Sequence, residues 1–162
     1  MPDNQDINKK IARYMQLTSA TTRPDLAKVL NVSSVFLTKV LYKIRPENLY
    51  ETFEISKKSG GVRKIFAPKP ELKELQSSLS KLLLDCIDAI NHIRKIDPKL
   101  SHGFCRNKSI ITNAKAHKGK ALVLNTDIMN FFDSFNFGRV RGFFIKNRNF
   151  NSNETIATTI AQ

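Results

Sequence analysis

Apolar residues over the first fifty positions fall at helical spacing. Ile7, Ile11 and Met15 recur every four residues with Tyr14 beside them, which predicts a short amphipathic helix behind an N-cap at Asp6. Thr22-Arg-Pro-Asp supplies a cap and an early proline for a second helix carrying Leu26, Val29 and Leu30, and Asn31 stops it. Ser33 caps a third helix that presents Phe36, Leu37, Val40 and Leu41. Two readings fit this pair of helices and its short turn: a DNA-binding helix-turn-helix, or a helical hairpin packed on the next module. From Tyr50 the period changes to two. Phe53 and Ile55 alternate with Glu54 and Ser56, residues 57–61 turn, and Val62 to Ala67 returns, giving a β-hairpin.

Pro68 and Pro70 end the hairpin and open a long core-facing helix, with Leu72, Leu75, Leu79, Leu82, Leu83, Cys86, Ile87 and Ile90 on one stripe. After Asp97-Pro98 the segment 101–109 is loop-like and basic. Ser109 caps a helix through Ile110, Ala114 and His117, and Gly119 closes it. Ala-Leu-Val-Leu-Asn-Thr at 121–126 reads as a strand that delivers Asp127 at its exit. A helix around Val140, Phe143 and Phe144, an Asn-rich loop from Asn147 to Asn153 and a helical start at 155–162 complete the pass. There is no internal repeat and no long linker.

Composition adds a partner to this outline. The 162 residues are 41% hydrophobic, enough for one domain with a core, yet carry a net charge of +13. Between 51 and 126 there are 15 basic and 7 acidic residues, so the excess concentrates in the middle of the chain. A basic surface on a folded domain gathers polyanions and binds them in a salt-sensitive way, which makes nucleic acid the leading partner over a merely soluble basic protein. The polar, acidic start and the lack of any apolar run near ~18 residues predict a cytoplasmic protein with no membrane partner. Cys86 and Cys105 are read as free thiols, and His92, His102 and His117 lack ligand spacing.

Three groups of residues carry candidate chemistry. Lys57, Lys58, Arg63 and Lys64 sit on or beside a Gly-Gly turn, so several cations project from one tip; it is either a phosphate grip or a solvated basic hairpin. Asp127 is a hard oxygen ligand beside aromatic residues, the kind Mg²⁺ takes one or two of alongside phosphates and water. Asn113 and His117, four apart, share a helical face suited either to RNA contact or to a buried polar role.

In order, the chain reads Phe53-x-Ile-x-Lys-Lys-Ser-Gly-Gly-x-Arg-x-Ile, Ala67-Pro, Leu72-Lys-x-Leu-Gln, His102-Gly-Phe, Asn113-Ala-x-x-His117 and Asn125-Thr-Asp-Ile-x-x-Phe-Phe-x-Ser-Phe. From about residue 50 onward this resembles a bacterial retron reverse transcriptase, and the Asn-Ala-x-x-His motif separates it from intron and retroviral relatives. The resemblance implies an α+β fold: a helical N-terminal extension (1–48), reverse-transcriptase fingers (49–120) and the first part of a right-hand palm (121–162). It implies that Asp127 is a ligand of both Mg²⁺ ions and that the Ile128 backbone carbonyl touches the nucleotide-side ion. Phe132 corresponds to the gate against a ribose 2′-hydroxyl, and Arg63 with Lys57 or Lys58 to the grip on nucleotide phosphates. Asn113 and His117 take the family-specific motif positions.

The implied activity is RNA-directed DNA polymerisation by the full-length protein. It copies a structured non-coding RNA template-primer into branched single-stranded DNA from dNTPs, in antiphage defence with an effector protein of the same operon. The family's Gln-Gly-Ser-Pro and Tyr-x-Asp-Asp segments do not occur here, and Asp133 is not a position the family uses as its second principal ligand. The expectation is therefore an N-terminal part of a longer enzyme, inactive alone, with an incomplete two-metal site and an exposed, aggregation-prone sheet edge. The rival is a non-catalytic RNA- or DNA-binding module built on the helix pair and the basic fingers.

Overall fold

The computed structural model describes residues 4–58, 60–96, 101–129 and 131–162, with the Asp133 side chain outside that description, and among these residues it forms seven α-helices and one hairpin. Ser59 of the expected turn and the Asp97-Pro98 break also lie outside it. Helix α1 spans Asn4–Ser19, so Asp6 stands inside its first turn rather than at the N-cap. There it pairs with Lys10 one turn on, at 2.7 Å.

The apolar stripe of α1 is also rotated from the expected one. Ile7 and Leu17 are buried, whereas Met15 is 62% exposed. A four-residue step overshoots the helical turn, so Met15 drifts to one flank while Leu17 lies on the other. The bundle sits on the Leu17 side.

Helix α2 (Arg23–Leu30) begins at the Thr22 cap, has proline in its first turn and ends on Asn31 at φ 57°. Ser33 caps α3 (Ser34–Thr38) through the Phe36 amide, and the helix runs on as one π-helical turn, Lys39–Lys43. The wide turn is closed by the Ile44 amide donating to the Lys39 carbonyl at 3.0 Å. Strands β1 (Tyr50–Ser56) and β2 (Val62–Pro68) pair antiparallel, with Tyr50 opposite Pro68 and Ser56 opposite Val62. The hairpin lies largely open to solvent, every β1 position being exposed. Helix α4 (Pro70–Arg94) is the spine. Its Leu72, Leu75, Leu82, Cys86 and Ile90 are buried as expected, but Ile87 is 45% exposed at the edge of the stripe.

Helix α5 (Ile110–His117) is capped by Ser109 and buries no residue. Helices α6 (Phe137–Lys146) and α7 (Glu154–Ala161) follow, capped by Asn136 and by Asn153 from the Asn-rich loop. One core joins α1, α2, α3, α4, α6 and α7 through Leu17, Leu26, Leu37, Leu82, Phe144 and Ile156. A fully buried leucine of this kind contributes about 1.5–3 kcal/mol of hydrophobic stabilisation. The fold is mixed helix and two-stranded sheet, α+β.

The expected strand at 121–126 is absent. Residues 122–128 have no regular secondary structure, and the sheet contains β1 and β2 alone among the described residues. Leu122 and Leu124 are 92% and 88% exposed. A strand is stabilised by cross-strand partners, and none of the described segments pairs with this one, so its β-forming composition has nothing to act on. No described helix is long and apolar enough to cross a membrane.

Candidate functional site

The hairpin tip gathers its cations locally. Gly60 and Gly61 take φ 86° and 82°, values that residues with a Cβ rarely adopt, and they let the chain reverse between Ser56 and Val62. The Lys57 amide then donates to the Gly61 carbonyl at 3.0 Å, and the Gly60 amide to the Lys57 carbonyl at 3.1 Å. This closure places Arg63 opposite Ile55 and brings Lys57, Lys58 and Arg63 around a cavity of about 360 Å³, with Ile55 and Ser56. Lys64 turns the other way, its ammonium 5.3 Å over the Phe66 ring. Backbone turn and charge together make a concave, cationic tip.

Asp127 is exposed and lies on irregular backbone, not at a strand exit. Its Oδ1 accepts from the Ile128 amide at 2.9 Å, and the Ile128 carbonyl accepts from the Phe131 amide at 3.3 Å, so a tight turn shapes both groups. Phe132 opens a single 3₁₀ turn and is 73% exposed, with Phe131 packed edge-on against it at 5.4 Å between ring centroids. Asp127 does not line the cavity at the hairpin tip. Nor do three or more potential metal ligands cluster anywhere among the described residues. Among the described residues the donors around Asp127 therefore do not make up a two-ion site.

Asn113 and His117 both lie on α5, a full turn apart and exposed. The approach to α5 is ordered by hydrogen bonds. The Thr112 hydroxyl accepts from the Ser109 amide at 2.8 Å and donates to the Ser109 carbonyl at 2.8 Å. The same hydroxyl lies 2.9 Å from Nδ1 of His102.

A polar cluster centred on α4 was not legible in the sequence. Asp85, in the middle of α4 and only 8% exposed, accepts from both Arg13 of α1 and Arg106 of the 101–109 loop. Arg106 also reaches Asp88 at 2.9 Å and the Lys81 carbonyl at 3.4 Å. Lys10 bridges Asp88 at 3.1 Å and Asp6. Its hydrogen bond to Asp6 raises the Lys10 ammonium above its ordinary value; burial opposes the rise and Asp88 adds to it. For Arg106 burial disfavours the charge, yet the hydrogen bonds to Asp85 and Asp88 outweigh it and the net direction is upward. The signal present in the sequence was two acids flanking the apolar stripe of α4, with Lys10 and Arg13 three apart on α1.

The retron Mx65 reverse transcriptase of Myxococcus xanthus is 39% identical over 140 residues, covering 84% of this chain. The retron Mx162 enzyme of the same organism is 32% identical over 81% of the chain, and the retron Ec86 reverse transcriptase of Escherichia coli 30% identical over 89%. The chain spans 30%, 26% and 42% of the lengths of these three relatives. No family model and no solved structure matches. With three retron enzymes aligned along most of its length, the chain belongs to the retron reverse transcriptase family.

Proposed function

We propose that this chain forms the fingers (49–120) and first part of the palm (121–162) of an RNA-directed DNA polymerase, behind a helical extension at 1–48. The whole enzyme copies a structured non-coding RNA into branched single-stranded DNA in the cytoplasm, in an antiphage system with an effector from the same operon. The observation that carries this reading is the 30–39% identity to retron reverse transcriptases over most of the chain. In it Arg63, Lys57 and Lys58 grip the phosphates of an incoming dNTP, and the concave tip supports that role. Phe132 stands as the sugar gate beside Asp127.

Asp127 and the Ile128 carbonyl are the Mg²⁺ ligands carried over from the family. Among the described residues one exposed carboxylate does not compose the site, so the reading takes the remaining carboxylates from the family's Tyr-x-Asp-Asp segment, which does not occur in this sequence. The 162-residue polypeptide is accordingly inactive by itself. A primer-extension assay with Mg²⁺ and an annealed RNA template is expected to show no incorporation. Template-dependent incorporation abolished by Asp127→Asn would refute the reading.

The exposure of the helix pair favours a second reading, a non-catalytic RNA- or DNA-binding module. Val35 is 79% exposed on α3, and Arg23 of α2 stacks 4.6 Å over the Tyr42 ring. A binding module retains RNA and DNA alike with a steep salt slope, whereas a retron enzyme holds one cognate hairpin RNA at high salt.

A further inference from the structure

Asp85 joins three segments that are far apart in sequence. Arg13 of α1 and Arg106 of the 101–109 loop both donate to its carboxylate, Arg13 to Oδ2 and Arg106 to Oδ1 at 2.6 Å. The carboxylate sits on the middle of α4 with its side chain 11% exposed, so it is sheltered from the screening that weakens surface pairs. Arg13 is fixed a second time, Nη2 donating to the Val29 carbonyl at 3.3 Å, which adds the end of α2 to the group. Lys10 and Arg106 share Asp88 in the same manner, at 3.1 and 2.9 Å.

On the far side of Arg106 the order continues. His102 Nδ1 bonds the Thr112 hydroxyl, and Thr112 closes the capping box of α5 with Ser109. Helix α5 buries no side chain of its own. Its placement therefore depends on the loop that leads into it, and Arg106 ties that loop to α4.

We infer that Arg106 is a positioning residue through which Asp85 couples helix α1 to the 101–109 loop and helix α5. Removing a partner of a sheltered, shared carboxylate leaves uncompensated charge, so the loop loses its anchor even when it still folds locally. The coupling stands on geometry alone. Its consequence for nucleic acid rests on the retron reading above and on the first of the two roles open to Asn113 and His117 of α5, contact with RNA.

Hydrogen exchange of the 162-residue chain tests the coupling. Amides in residues 101–117 are expected to exchange about tenfold faster in both Arg106→Gln and Arg13→Gln, and less so in Arg106→Lys, with Lys28→Gln unchanged. Wild-type rates across 101–117 in Arg106→Gln overturn the inference. So does an Arg13→Gln protein in which α1 exchanges faster and the loop does not. Should Arg13→Gln fail to fold, Asp88→Asn, which removes the more exposed partner of Arg106, is expected to accelerate the same amides, and unchanged rates there overturn it. Retention of a structured hairpin RNA, measured in parallel, separates the two layers. Faster exchange with undiminished retention upholds the coupling and removes α5 from the RNA contact.

Discussion

Thr22 and Asp25 satisfy each other across the first turn of α2: the Asp25 amide donates to Thr22 Oγ1 at 3.3 Å, and Asp25 Oδ2 accepts from the Thr22 amide at 2.9 Å. The carboxylate also accepts from the Thr22 hydroxyl at 2.7 Å and from the Thr21 amide at 3.1 Å. Two orphan donors at a helix start are thereby answered without any tertiary contact. Thr22→Ala is expected to cost about 1 kcal/mol in urea denaturation at neutral pH.

The same cap sets a pH dependence. The hydrogen bonds from Thr22, then from the Thr21 backbone, hold the Asp25 carboxyl below its ordinary 3.8. A depressed folded value means that the stabilisation is complete above the ordinary value and is lost as pH falls through the lowered one. Denaturation midpoints should therefore drop on acidification below 3.8 in the wild type, and Asp25→Asn should show a smaller drop over the same interval.

Local signals of this kind explain what could be read from the chain. The caps at Thr22, Ser33 and Ser109, the αL stop at Asn31 and the Gly60–Gly61 turn all act within a few residues, and each appears where the pattern put it. Apart from the Asp6 cap, which falls inside the first turn of α1, what failed depended on distant neighbours. The 121–126 strand needs a partner strand, and Met15 lost its core place to Leu17 because the position of the bundle, not the four-residue spacing, decides which flank is covered. Arg13 meets the buried Asp85 on α4 and Lys10 the half-buried Asp88, pairings that no local spacing announces. For the candidate site, the tip cations were legible through the turn that gathers them, and the irregular backbone under Asp127 was not.

The phase of α1 is directly testable. Leu17 is fully buried, so Leu17→Ala is expected to cost about 2–5 kcal/mol, the range for deleting a core leucine. Met15→Ala should stay within about 0.5 kcal/mol, as surface substitutions do. Urea midpoints at equal slope distinguish the two, and a reversed order would restore the four-residue stripe.

Cysteine reactivity should divide sharply. Cys86 is 0% exposed, and burial, with the Asp85 charge adding to it, pushes its thiol up to about 12. The thiolate is the reactive species, so Cys86 resists alkylation at pH 8 both by access and by charge. Cys105 is partly exposed in the 101–109 loop. Mass spectrometry after brief iodoacetamide treatment is expected to find Cys105 modified and Cys86 intact, with Cys86 labelled only when denaturant is present.

The exposed segment after α5 has a consequence for the chain in solution. Leu122, Leu124 and Met129 are each more than four-fifths exposed, with Val123 and Phe132 beside them in sequence or near it. Their backbone at 122–127 carries no strand partner among the described residues, so amides and carbonyls without a ladder accompany the apolar side chains. That combination favours pairing with another copy, since association satisfies both the hydrogen bonds and the apolar surface. Net charge of +13 opposes association through repulsion, and salt screens that repulsion. Sedimentation velocity should then show self-association that grows with ionic strength, the opposite of what a purely electrostatic contact would give. Leu122→Glu with Leu124→Glu is expected to abolish it while leaving the helical signal unchanged, because neither residue belongs to the core. Association that persists in the double variant would place the contact elsewhere, with the exposed hairpin residues Phe53 and Phe66 the next to substitute.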